Sequence, residues 1–168
     1  FIMATANTRV VRRTEALLAL RQESYGADFT YQEHAFHKSW FSAVKSLLLT
    51  GLSVLVLLSP LKRLVKPFLP KPGEGPSESV QENGWFDCKY IVETEEGIKK
   101  VFNMSGKGDP GYKVTSKLVS ECALCLIENQ DELPGGKDFG GVLTSASGLG
   151  DPLIARLKNA GILFQGPL

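Results

Sequence analysis

The uncharged run in the first half of the chain limits its folds more than any other feature. Residues 46–61, "SLLLTGLSVLVLLSPL", are sixteen positions without an ionisable side chain, between Lys45 and Lys62. A helix this apolar on every side must be covered by protein or by lipid. Straight, it measures about 24 Å at 1.5 Å per residue, against about 30 Å for a bilayer core. Its flanks are asymmetric. Trp40 and Phe41 precede it, while Lys62, Arg63, Lys66 and Lys71 follow, interleaved with Leu61, Leu64, Val65, Phe68 and Leu69. Aromatics at one end and long cations at the other suit a membrane interface. The segment is therefore either a core helix or an embedded or half-inserted one. In the second case Trp40, Leu47, Val54, Leu57, Leu58, Lys62 and Arg63 meet lipid, and the basic side faces the cytoplasm.

With 168 residues the chain is long enough for one domain with its own core. A net charge of +1 gives no basis for nucleic-acid binding, which needs a basic patch or stripe. Three cysteines, Cys88, Cys122 and Cys125, fit a reducing compartment better than a disulfide framework. The opening Phe1-Ile2-Met3 reads as part of a longer polypeptide; a native start at Met3 is the alternative.

Periodicity supplies the remaining elements. "NTRVVRRTEALLALRQESYG" (7–26) has helical spacing, with Asn7 or Thr8 as cap and Gly26 beyond the end. "DFTYQEHAF" (28–36) alternates with period two and predicts a strand. A helix from about Lys38 carries the apolar run and stops before Pro60 or kinks there. Residues 66–80, rich in Pro, Gly and Ser, predict an extended loop. "WFDCKYIVETEEGIKKVFNM" (85–104) is a hairpin, with Phe86, Cys88, Tyr90 and Val92 on one face. "SGKGDPGY" (105–112) is a glycine loop, after which Thr115 caps a helix to about Glu128. A short strand is expected within 132–150; then Asp151 caps a last helix with Pro152 at its first position, Gly161 ends it, and 162–164 form a final strand. Mixed helices around an antiparallel hairpin give an α+β fold, an antiparallel sheet with helices on one face.

Few residues suggest chemistry. Cys122-x-x-Cys125 lies in the middle of a helix among apolar neighbours, so the thiols belong to the core rather than to a metal or redox site. Gly148-x-Gly150 precedes a helix but lacks a third glycine, and Asp151 occupies the phosphate position. Arg12 and Arg13 are candidates for holding an anionic substrate, and Tyr112, Thr115 and Thr144 lie in or beside glycine-rich loops.

Four stretches in order, "NTRVVRRTEALL", "PGEGPSES" followed by "GWFDCKY", "GDPGYKVTSKLVSECALCL" and "GGVLTSASGLGDPLIARLKNAGILF", resemble the C-terminal half of the saccharopine dehydrogenase-like oxidoreductases, which include the trans-acting enoyl reductases. The likeness runs from about Asn7 to Phe164. It implies an N-terminal Rossmann domain that binds NAD or NADP outside this chain, as its partner. The present residues would be the substrate-side domain, inactive alone and without a cofactor of its own. It also implies lipid contact for the apolar segment, and a membrane, lipid-droplet or mitochondrial setting. A homo-oligomer is compatible with it. Family members commonly carry Thr-Pro where this chain has Thr144-Ser145. No catalytic residue transfers. The competing function is a non-catalytic membrane or lipid-droplet binding module.

Overall fold

The structure, a computed structural model, describes every residue except Ile2, Pro70, Pro72, Lys137 and Leu168. It divides into two compact units, Phe1–Thr8 with Tyr31–Gly75, and Arg9–Thr30 with Pro76–Leu168.

Helix α1 (Ala4–Ala19) begins earlier than predicted. Asn7 is not its cap; its amide donates instead to Glu33 Oε2 at 3.1 Å. The helix ends at Gln22, which takes a φ of 62° in place of the expected glycine. The Glu23 amide bonds the Leu18 carbonyl and the Gln22 amide that of Ala19, which is a Schellman turn. Gly26 lies beyond this turn.

Residues 28–36, which run from the second unit into the first, are not a strand. Alternation makes a strand only where another edge offers a ladder, and among the described residues none pairs with this segment. Helix α2 (Trp40–Leu58) carries the apolar run. Ser39 caps it reciprocally with Ser42, and it stops before Pro60 as expected. The chain continues in a short helix α3 (Lys62–Val65) and a 3-10 turn (Lys66–Phe68), the latter at the start of the predicted 66–80 loop. Pro67 is tolerated because it sits in the first positions of that turn. Pro70 and Pro72 of the predicted loop lie outside the described residues.

The second unit is α+β. The loop prediction fails again at α4 (Glu78–Asn83), where Ser77 Oγ accepts from the Val80 amide. Strands β1 (Trp85–Glu93) and β2 (Lys99–Lys107) form the expected hairpin, and β3 (Leu163–Gln165) adds antiparallel to β2. Strand β2 absorbs the first half of the predicted glycine loop. The register pairs Cys88 with Met104 and Met104 with Phe164, so one face carries Phe86, Cys88, Tyr90, Phe102, Met104 and Phe164.

Helices α5 (Lys113–Glu128) and α6 (Ser145–Asn159) pack against Phe86, Met104 and Phe164 of this face, while Cys88 and Tyr90 stay exposed. Val114 and Cys125 of α5, Leu149, Leu153 and Leu157 of α6, and Ile162 form the core, with Phe86, Met104 and Phe164 packed against it. On α5, the apolar Val119 and Leu126 are exposed. Among the described residues of 132–150, which exclude Lys137, there is no strand: a 3-10 turn (Gln130–Glu132) reaches their start and α6 takes up 145–150.

Thr144, not Asp151, caps α6: it forms a reciprocal box with Ser147. The prediction at Asp151 is partly right, because Gly150 breaks the helix at φ 48° and ψ −135° and the regular turns resume behind it. A Cβ there would lie 2.6 Å from Pro134 Cγ. Gly150→Ala therefore meets both a strained backbone and a clash. It should lower the unfolding free energy by about 1–3 kcal/mol, measured as a fall in urea midpoint; an unchanged midpoint would show the break to be dispensable.

Candidate functional site

Three places in the structure are chemically distinctive: the surface of α2 and its basic end, a hydroxyl and arginine network at the start of α6, and an apolar recess on the sheet.

No residue of α2 is buried. Trp40 is 73% exposed and Leu58 81%, and Leu47, Val54 and Leu57 are exposed as well. Ser53 turns its hydroxyl back on the helix, donating to the Leu49 carbonyl at 2.7 Å, and the C-cap Ser59 donates to that of Val56 at 2.9 Å. The helix thus offers solvent an almost wholly apolar side surface. It is long and apolar enough to cross a membrane. The structure does not support the prediction of a helix buried on all sides. Lys62 and Arg63 begin α3 directly beyond the run, also exposed.

The five substrate candidates do not converge. Arg12 is exposed on α1. Arg13 Nη2 donates to the Val142 carbonyl at 2.8 Å, and Thr144 is the α6 cap. Tyr112 and Thr115 belong to the start of α5: the Tyr112 amide donates to Asp109 Oδ2 at 2.8 Å, and Thr115 Oγ1 donates to the Pro110 carbonyl at 2.6 Å instead of capping the helix. These contacts give Arg13, Thr115 and Thr144 structural work.

The network around Thr144 includes residues that spacing did not reveal. Thr14 Oγ1 lies 2.7 Å from Thr144 Oγ1, which lies 2.9 Å from the fully buried Ser147 Oγ. Arg21 donates to the Ser147 carbonyl at 2.9 Å, and its guanidinium stands 4.9 Å from the Phe139 ring centroid. No base hydrogen-bonds these hydroxyls among the described residues, so the chain of hydroxyls locks α1 onto α6 and is not a nucleophile relay. Arg156 joins α6 to α5 through Glu121 at 2.9 Å and Glu128 at 2.6 Å, and the bond to Glu128 holds its guanidinium proton more firmly still. The polar i, i+3 pair of Thr144 and Ser147 was the sequence signal for this cap.

The recess on the sheet has a volume of about 250 Å³ and is lined by Tyr90, Phe102, Met104, Phe164, Lys158 and Gly166, among others. It is apolar with one cation. Asn103 of β2 also lines it, and among the described residues its buried Oδ1 has no hydrogen-bond partner.

The cysteines pack as expected. Cys125 is fully buried, and burial pushes its thiol and that of Cys122 above the usual range, with Arg156 opposing at Cys125. The thiolate is the reactive form, so iodoacetamide at pH 8 should modify exposed Cys88 and spare Cys122 and Cys125 until unfolding. The raised values also set a sign. The folded state keeps protons that the unfolded chain releases, so this contribution is intact below about pH 8.5 and declines as pH rises above it. A urea midpoint that rises between pH 8 and 10 would contradict this assignment.

At the α6 start the Thr144 and Ser147 amides are taken by each other's hydroxyls, and a Cβ on Gly150 would meet the Pro134 ring.

The whole chain has relatives. It is 39% identical over 174 aligned residues, 98% of its length, to a provisionally named trans-acting enoyl reductase of Mycobacterium tuberculosis, strain H37Rv. It is 33% identical over 172 residues to proteins named trans-acting enoyl reductase in Mycobacterium bovis and Mycobacterium leprae, again over 98% of its length. In each case the chain spans 40% of the relative. No family model matches the chain, and no solved structure does.

Proposed function

From its similarity to the trans-acting enoyl reductases, we propose that this chain is the substrate- and lipid-side domain of an NAD(P)-dependent oxidoreductase of that kind, which reduces an enoyl or keto group on a lipid-like substrate. The observation that carries the proposal is the 39% identity over 98% of the chain. The parent enzyme has a saccharopine dehydrogenase-like plan, in which a separate Rossmann domain holds the nicotinamide.

The nicotinamide supplies the hydride when bound to its own domain. The residues of the present chain do something else. The recess between Tyr90, Phe102, Met104 and Phe164 offers an apolar wall to an acyl chain, and Lys158 at its edge suits an anionic group on the substrate. The bare surface of α2 holds the enzyme at the lipid where such substrates reside, on the cytoplasmic face of a membrane or droplet. The domain alone reduces nothing.

The unburied α2 also favours a second reading, a binding module without catalysis. NADPH fluorescence and consumption with the full-length protein and an α,β-unsaturated acyl lipid separate the two. A cofactor signal together with reduction supports the enzyme. An intact reading frame without Gly-x-Gly-x-x-Gly upstream, with no cofactor signal, leaves only the binding module.

A further inference from the structure

The segment after α2 has a chemistry of its own. Ser59 and Pro60 end α2, and α3 with its 3-10 turn follows at once (Lys62–Val65 and Lys66–Phe68). Placed at 100° per residue, Leu61, Leu64 and Phe68 fall on one side of this elbow and Lys62, Arg63 and Lys66 on the other. All six are exposed, Phe68 to 85%. Among the described residues, no carboxylate lies within ion-pair distance of Lys62, Arg63 or Lys66. Between Glu33 and Glu74 the sequence holds no acid at all. Cations without partners, beside exposed apolar side chains at the end of a bare apolar helix, define the covering surface: it is apolar within and negative at its rim.

We propose that the elbow at 61–68 is an interfacial anchor that selects bilayers carrying anionic phospholipid. Leu61, Leu64 and Phe68 enter the acyl boundary where α2 meets the headgroups. Lys62, Arg63 and Lys66 reach up to the phosphates with their stems along the apolar surface. The proposal rests on lipid contact by α2 and adds headgroup selection to it. Attraction of this kind grows with each basic residue near the surface and is screened by salt.

Co-flotation of the full-length protein with phosphatidylcholine vesicles, with and without phosphatidylglycerol, tests it. The wild type should partition about a hundredfold more strongly onto the anionic vesicles, and high salt should erase the difference. The triple variant Lys62→Gln, Arg63→Gln, Lys66→Gln should bind both vesicle types equally, at the neutral-vesicle level of the wild type. Equal wild-type binding to both vesicles overturns headgroup selection while leaving lipid contact in place. A triple variant that keeps the anionic preference overturns the assignment to these residues. Wild type that floats with neither refutes lipid contact and, with it, the anchor.

Discussion

Val54→Asp combined with Leu57→Asp should remove the full-length protein from vesicles. Both side chains are exposed on α2, and at a spacing of three they share one side of the helix. A carboxylate at the centre of a bilayer-embedded helix costs about 2.5–3.5 kcal/mol on insertion scales. Two such costs exceed what a half-inserted anchor can supply, and the loss of flotation should be essentially complete. In water the same change should be nearly silent for folding, because neither residue lies in a core. A core helix would behave oppositely: the double aspartate would unfold the protein. Flotation and circular dichroism on the same variant therefore separate the two possibilities raised by the uncharged run.

Ile162→Ala should have the largest effect on stability. Ile162 is 1% exposed between α6 and β3 and belongs to the cluster of Val114, Cys125, Leu153 and Leu157. Truncating a buried Ile to Ala costs about 2–5 kcal/mol, through lost transfer energy and the cavity left behind. The lower bound alone raises the population of locally open molecules at least about thirtyfold, at 1.4 kcal/mol per decade. Cys125 is in the same cluster and fully buried, so its trapping by a thiol reagent in the full-length protein reads that opening directly. Trapping should accelerate by that factor, while Cys88, on the exposed surface, should not change. Unaltered trapping at Cys125 would show that the two residues do not share a core.

The elements that were legible in the sequence are those whose signal is local. The β1–β2 hairpin follows from alternation around Glu95-Glu96-Gly97, and the end of α2 from Pro60. The segment 28–36 shows the opposite case. Its alternation is as regular as that of β1, yet a strand also needs a free edge, and no local pattern reports one. Thr144 and Asp151 were both visible as capping residue types, but the bond from Thr144 to Thr14 of α1, 130 residues away in sequence, was not.

The same distance dependence decided the candidate sites. The exposed apolar residues of α2 are contiguous in sequence, so the run of 46–61 displayed them. The recess gathers Tyr90, Phe102 and Phe164 from three strands and Lys158 from a helix, and the register that aligns them is fixed only in the folded sheet. Arg13 and Thr144 looked like groups for a substrate because their type and loop position fit; their actual partners, the Val142 carbonyl and Thr14, appear only when α1 lies against α6.

Whether lipid covers α2 can be read at its own amides. Deuterium uptake of the peptide 46–58 in the full-length protein, with and without anionic vesicles, is the most direct measurement. An uncovered helix in water exchanges readily despite its internal bonds, and a bilayer slows exchange by excluding water. Uptake should be rapid in the lipid-free protein and fall at least tenfold when vesicles are present, with peptides of α5 and α6 unchanged. Uptake that is already slow without vesicles, or the same with and without them, would contradict the lipid-docked domain.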